Sequence, residues 1–252
     1  KLKWAKDIML KLCGDFGMMG FNYEAIEYVG AAIAKMLIQE RMTLTNMVAE
    51  LGAKTGIIAP DRITKNALKN WGVADVDIEE WQSDQDAIFA RTIILNCSSL
   101  EPQVAAPSTP ENSGPISGHS GVKLSQAYIG ACTGAKLDDL RMAAAVLKGK
   151  KISRDMRFFV APASINIKKR AENEGLINIF IEAGAEILPI GCGGCIGLGK
   201  ARLGEEAIGI SSTNRNFVGR AGHNSSRLYL ASPYTVAASA ITGIITDPRE
   251  FL

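Results

Sequence analysis

Apolar residues in the second half of the chain fall into short runs separated by helical patterns and turn residues. Segments 122–131 (VKLSQAYIGA), 157–161 (RFFVA), 185–190 (AEILPI), 207–210 and 228–231 (LYLA) each predict a strand. Pro189 places the third at a sheet edge, because proline has no amide hydrogen to give a ladder. Between the strands, 137–148 (LDDLRMAAAVLK) predicts a helix, with Asp138 and Asp139 in the first turn where the helix dipole favours anions. Residues 165–184 are mostly helical in pattern. Ser232 and Pro233 give an N-cap and a first-turn proline to the helix TVAASAIT.

The first half alternates less clearly. Residues 5–12, 43–54 and 61–71 predict helices; 23–29, 56–59 (a buried run) and 91–95 (RTIIL) predict strands. Strands that alternate with helices and are apolar almost throughout imply a mostly parallel sheet covered on both faces, an α/β fold. Segment 105–121 (AAPSTPENSGPISGHSG) holds three Pro, three Gly and four Ser. Such a stretch predicts a connection without regular structure, so the expected division is a domain at 1–104, a linker at 105–121 and a domain at 122–252.

Composition narrows the classes. A length of 252 residues fits one or two domains, and 47% apolar with 21% charged residues excludes disordered and fibrous chains. Lys+Arg 28 against Asp+Glu 26 leaves +2, which gives no electrostatic reason for nucleic acid or an anionic membrane as partner. No window holds the roughly 18 consecutive apolar residues of a membrane span. The start, Lys1-Leu2-Lys3-Trp4, has no signal-peptide core and no initiator Met, so a fragment or a processed product is expected. Five cysteines are too few and the wrong parity for a disulfide scaffold, and predict a reducing compartment: the cytoplasm, or an organelle matrix in a eukaryote. Two histidines, His119 and His223, exclude HExxH zinc chemistry by number.

Three cysteines form the sharpest constellation. Cys192-Gly193-Gly194-Cys195 follows one predicted strand and Cys132 follows another. Residues just past the carboxyl ends of parallel strands converge at one sheet edge, so the three thiols are expected to meet. Cys132 also precedes a helix, whose N-terminus favours thiolate. Spacing alone leaves three readings open: an iron–sulfur cluster with one iron free, a redox CxxC, or a structural zinc with a ligand from elsewhere. Cys13 and Cys97 read as packing residues. A second constellation, Thr213 to Arg220 (TNRNFVGR), carries two Arg and two Asn after a strand, suited to gripping carboxylates unless it is a solvated loop. Asn46 and Glu50 stand at i and i+4, on one face of the predicted helix. The stretch GCIGLGKA (194–201) falls short of a phosphate-binding loop, having Ala201 in place of the magnesium-binding hydroxyl.

Together these residues resemble the aconitase superfamily. The likeness rests on Ile129-Gly130-Ala131-Cys132-Thr133-Gly134, the Cys192–Cys195 loop, Ser212 to Arg220, and Tyr229-Leu230-Ala231-Ser232-Pro233. Within it the isopropylmalate dehydratase large-subunit branch is nearest, through Glu101-Pro102-Gln103-Val104-Ala105 and the ending Thr246 to Leu252 as well. The resemblance implies an aconitase-like fold of two α/β/α domains with mostly parallel sheets. It implies a [4Fe-4S] cluster on Cys132, Cys192 and Cys195, with Asn46, Glu50 and Asn214 beside it and Arg215 and Arg220 on substrate carboxylates. The implied reaction dehydrates a 2-alkylmalate and rehydrates it with the hydroxyl moved one carbon, in leucine biosynthesis. Homoaconitase, another alkylmalate dehydratase and a non-catalytic metal-binding module are the alternatives. Two features depart from the family pattern. Its SCTNG appears here as Ala131-Cys132-Thr133-Gly134-Ala135, and its CGPC-type loop has Gly194 in third position. The family's His-containing N-terminal domain has no counterpart motif, and its swivelling domain, a separate small subunit in this branch, supplies the base. The chain by itself is therefore expected to be inactive and to need that small subunit and a small hydroxy-acid substrate.

Overall fold

The computed structural model describes residues 4–73, 76–78 and 80–252; the charged start, Lys1 to Lys3, lies outside them. Among the described residues, nine strands form in chain order: β1 Ala25–Glu27, β2 Thr55–Ile57, β3 Gln103–Ala105, β4 Ser113–Pro115, β5 Gln126–Ile129, β6 Arg157–Val160, β7 Glu186–Ile187, β8 Ile208–Ser211 and β9 Arg227–Ala231. The helices are α1 Ala5–Phe16, α2 Ala31–Ala34, α3 Ile38–Asn46, α4 Arg62–Asn70, α5 Ala131–Gly134, α6 Leu137–Leu147, α7 Ile165–Asn173, α8 Leu176–Ala183 and α9 Pro233–Thr242.

Seven strands make one sheet in the order β4-β3-β9-β8-β5-β6-β7. The five from β9 to β7 run parallel, and β3 and β4 add an antiparallel hairpin beside β9. The mostly parallel α/β fold expected from the pattern is present. Strand alternation sorts the side chains. Ala127, Ile129, Phe158, Val160 and Ile210 face one side, where α6, α8 and α9 pack through Leu140, Phe180 and Val236. Ala105, Leu228 and Leu230 face the other side, under α1 and α3. Tyr128 and Phe159 share that second side but lie under the loop that holds Cys195 and Ala201.

Several elements depart from the expectations. Segment 105–121 is not an unstructured connection, because Ser113–Pro115 pairs with Gln103–Ala105, and Val104 and Ala105 pair with Ala231 and Leu230 of β9. Sheet hydrogen bonding overrides the Pro- and Gly-rich composition there. Residues 91–95 form no strand, although they are rich in β-formers. They run along the surface without a pairing neighbour, pinned by Arg91 to Glu24, and Ile94 is 92% exposed. The helix expected over 43–54 begins earlier, at Ile38, and tightens after Asn46 into a 3-10 turn, Met47–Leu51, which ends at left-handed Gly52. The pair β1–β2 forms a separate parallel two-stranded sheet, and β2 is exposed rather than buried. The run 165–184 divides into α7 and α8 at Gly175, whose positive φ of 72° breaks the helix.

Candidate functional site

The strand order reverses at β5. From there the chain proceeds through β6 and β7 on one side and returns to β8 and β9 on the other. Such a switch point leaves a crevice at the carboxyl edge of the sheet, where ligands bind in open α/β folds. The loops after β5, β7 and β8 carry Cys132, the Cys192–Cys195 pair and Asn214–Arg215, the residues singled out from the sequence.

Cys132 sits in α5, two residues past Gly130. The residue between, Ala131, has φ of +65°, a left-handed conformation that costs a residue with a Cβ roughly 1–2 kcal/mol. The bend takes the chain abruptly from strand to helix and leaves the Cys132 thiol exposed. Cys192 is also exposed and opens a 3-10 turn, Gly193–Ile196, closed by a 2.7 Å bond from the Cys195 amide to the Cys192 carbonyl. Cys195 is buried. Burial pushes its thiol upward from the ordinary range, the Arg220 guanidinium opposes this, and Cys192 and Cys132 add smaller upward shifts. Among the described residues, no three His, Cys, Asp or Glu side chains stand close enough to hold a single metal ion.

Polar groups surround the thiols. Asn46 Nδ2 lies 3.4 Å from Cys132 Sγ, and Arg220 Nη2 lies 3.9 Å from Cys195 Sγ. Glu50 is fully buried. Its Oε1 accepts hydrogen bonds from Asn214 Nδ2 at 3.0 Å and Arg215 Nε at 2.7 Å, while its Oε2 has no partner. Asn46 and Glu50 were expected on one helix face. The 3-10 winding instead turns Glu50 into the interior and leaves Asn46 exposed, so the two reach different partners in the same region. Arg215 already spends one donor on Glu50, leaving its terminal nitrogens at a half-exposed position.

Sequence reasoning missed what lies underneath. Lys6, buried in α1, donates to the Thr213 carbonyl at 2.5 Å, next to Asn214. Burial lowers its pKa to about 8, with Glu50 opposing. Lys136, also buried, donates to Asp139 at 2.6 Å, to Thr43 at 2.7 Å and to the Cys132 carbonyl at 3.4 Å. Two buried ammonium groups therefore brace the Cys132 and Asn214 loops from below. Lysine is rarely buried, so nothing in the local sequence marks either one. Ser212 is a third such residue. Its hydroxyl accepts from the Gly130 amide at 3.1 Å and donates to the Gly134 carbonyl at 3.0 Å. A Cβ on Gly134 would fall 2.3 Å from Ser212, so Ser212 fills the volume where the family pattern carries Asn. His119 packs edge-on against Tyr229, and exposed His223 bonds Ser225; neither has a contact with these groups. Cys13 is buried in α1, as expected of a packing residue, and Cys97 is half-buried.

A model of the Aconitase family (aconitate hydratase) matches residues 2–121 and 117–243, and the chain belongs to that family. It is 47% identical over 250 residues to 3-isopropylmalate dehydratase large subunit 1 of Pyrococcus furiosus, covering 98% of this chain and 58% of that protein. It is 43% identical over 249 residues to large subunit 2 of the same enzyme from Archaeoglobus fulgidus, covering 99% of this chain and 60% of the relative. It is likewise 43% identical over 253 residues to the methanogen homoaconitase large subunit of Methanocaldococcus jannaschii, covering 98% of this chain and 60% of the relative. The chain spans about three fifths of the length of these relatives. Among the described residues no helix is long and apolar enough to cross a membrane.

Proposed function

We propose that this chain is the cluster-bearing part of an iron–sulfur hydro-lyase large subunit acting on an alkylmalate, with isopropylmalate the favoured substrate. The observation that supports the reading is that Cys132 and the Cys192–Cys195 pair follow strands of one parallel sheet at its carboxyl edge, with Asn46 beside Cys132, Arg220 beside Cys195, and Glu50 held by Asn214 and Arg215. The donor set fits a [4Fe-4S] cluster. Cys132, Cys192 and Cys195 would hold it, and three buried polar atoms without partners, Glu50 Oε2, Arg220 Nε and the Tyr128 hydroxyl, lie among the residues around these loops. When bound, a cluster with one open iron supplies Lewis acidity toward a leaving hydroxyl.

The chain's own residues supply the rest of a half-site. Asn46 donates toward the Cys132 sulfur and fixes that ligand's orientation. Glu50, immobilised through Oε1 by Asn214 and Arg215, keeps Oε2 free to accept a hydrogen bond from a substrate hydroxyl. The terminal nitrogens of Arg215 and the unpaired Nε of Arg220 offer planar, charged donors for substrate carboxylates. The family resemblance assigns the proton-abstracting base to a partner, the small subunit that the relatives' names imply. Homoaconitase-type chemistry is the second reading, because homoaconitase large subunits are as similar to this chain as some of the dehydratases. Soluble, cytoplasmic biosynthesis is the setting that accompanies both.

Anaerobic reconstitution with iron and sulfide tests the assignment. A brown, oxygen-sensitive chromophore is expected, lost in Cys132→Ser, Cys192→Ser or Cys195→Ser and retained in Cys13→Ser and Cys97→Ser. A chromophore that survives Cys132→Ser sinks the assignment. The reconstituted chain alone should not dehydrate isopropylmalate, citrate or homocitrate; activity above the Cys132→Ser background would place the base within these residues.

A further inference from the structure

Tyr128 is the third residue of β5, the central strand at the switch point, paired on one side with Phe159 and on the other with Ser211. Its ring is only 3% exposed. It is clamped between the two cysteine loops. A Cβ built on Gly130 would fall 2.3–2.4 Å from the ring edge and hydroxyl, and one built on Gly194 would fall 3.2 Å from the opposite edge. A Cβ on Gly193 would lie 3.6 Å from the hydroxyl itself. The absence of a side chain at Gly130, with the tight fit at Gly194, is what lets the phenol reach the space between the Cys132 and Cys192–Cys195 loops.

That hydroxyl has no hydrogen-bond partner. The Gly194 amide leans toward its oxygen without forming a bond of ordinary geometry, and the other polar groups felt there are the thiols of Cys195 and Cys192. A buried phenol nearly always has a partner, and a buried hydroxyl without one calls for an explanation in a group that belongs beside it. A phenol O–H is a donor, and sulfur is the acceptor supplied by the CxxC loop, whose Cys195 shares the buried cluster of Tyr128.

We propose that Tyr128 is a positioning residue whose O–H donates to the sulfur of the Cys192–Cys195 arm of the cluster site, stabilising the negative charge gathered there. The inference rests on the cluster reading above. Hydrogen bonds to cluster sulfurs stabilise the more reduced, more negative state and so raise the reduction potential. They also offset the tendency of ligand sulfur to be lost to oxidation or protonation.

The test compares the wild-type chain with Tyr128→Phe, which keeps the ring and removes only the donor. Both are reconstituted anaerobically, and iron and sulfide content, reduction potential and lifetime in air are measured. Equal loading is expected, with a lower potential in Tyr128→Phe and a lifetime shortened about five- to tenfold, the equivalent of one lost hydrogen bond. The iron–sulfur stretching bands of the wild type should shift in deuterated buffer, and the variant should lose part of that shift. Site-specific 3-fluorotyrosine at 128, a stronger donor of almost the same shape, should move the potential the other way. Unchanged potential and lifetime in Tyr128→Phe, or no response to the fluorinated ring, would reduce Tyr128 to a packing residue while leaving the cluster assignment intact. A wild-type chain that takes up no cluster overturns both, and is recognised by the colourless control.

Discussion

Lys6 and Thr213, 207 positions apart, are joined by a 2.5 Å hydrogen bond from a buried ammonium to a backbone carbonyl. That bond fixes the first residue of the loop bearing Asn214 and Arg215. Lys6→Met keeps the length of the side chain but leaves the carbonyl unpaired, at a cost of about 1–3 kcal/mol. The pH dependence carries a second signature. The native pKa of Lys6 lies near 8 and the unfolded value near 10.5, so between those values the unfolded chain binds more protons and stability rises with pH. Urea denaturation from pH 7.5 to 10.5 should give a rising contribution in the wild type that Lys6→Met lacks.

Asp7, the next residue of α1, behaves oppositely. Burial raises its carboxyl from 3.8 to about 7, against the opposing hydrogen bond from the Gln103 amide. Between about pH 4 and 7 the native state binds the extra proton, so stability falls as pH rises through that window. Glu40, raised by burial to about 7 as well, adds to the same slope. Asp7→Asn retains an oxygen for the Gln103 amide and carries no charge. It is expected to gain about 1–3 kcal/mol at pH 8 and to flatten the fall between pH 4 and 7. A loss of stability at pH 8 would show that the carboxylate is better satisfied than its surroundings imply.

Arg215 faces Glu50 on one side and solvent on the other. Arg215→Lys preserves charge but cannot place a donor at the Nε position while offering a fork beyond it. In the assembled enzyme, turnover should fall roughly 30- to 1000-fold, equivalent to about 2–4 kcal/mol for a charged hydrogen bond in a desolvated site. The folded chain should lose only about 1–2 kcal/mol, since the Arg215 side chain is 37% exposed and solvent screens the pair. Steady-state kinetics beside thermal denaturation separates the two effects; near-wild-type turnover would leave the loop a structural turn.

Gly134 abuts Ser212, whose carbonyl oxygen and side chain already occupy the position of a Cβ. Gly134→Ala or Gly134→Asn should therefore destabilise by about 1–3 kcal/mol through overpacking. Because the bridge from Ser212 to the Gly130 amide would be displaced with it, the Cys132 loop should be disturbed as well. A lowered melting temperature together with reduced cluster loading checks this.

Periodicity made the parallel strands and their helices legible, because residues such as Ala127, Ile129, Phe158 and Val160 are apolar for a local reason, the pleat of a buried sheet. The cysteines and the Asn214–Arg215 loop were legible because parallel strands deliver their following loops to one edge. What escaped depends on distant partners. Nothing around Val104 announces that it will pair with a strand from the far end of the chain, and nothing in RTIIL announces that no strand will lie next to it. Lys6, in α1, and Lys136, the residue before α6, are ordinary lysines until tertiary contacts bury them, and Tyr128 is one more β-former until two glycine loops close over its hydroxyl.

The hairpin of β3 and β4 ties into the main sheet the stretch where composition suggests a place to cut. Gln103–Ala105 caps the flank of β9, and α1 lies across both, anchored by Asp7 to the Gln103 amide at 2.6 Å. A truncation beginning at residue 122 would keep the CxxC loop and Cys132 yet bare a long strand flank and the apolar side of Leu228 and Leu230. Such a naked flank recruits other chains, so the shortened protein should self-associate rather than persist as a monomer. The site at one end of the sheet is in this sense held together from the other end, by strands that take no part in its chemistry.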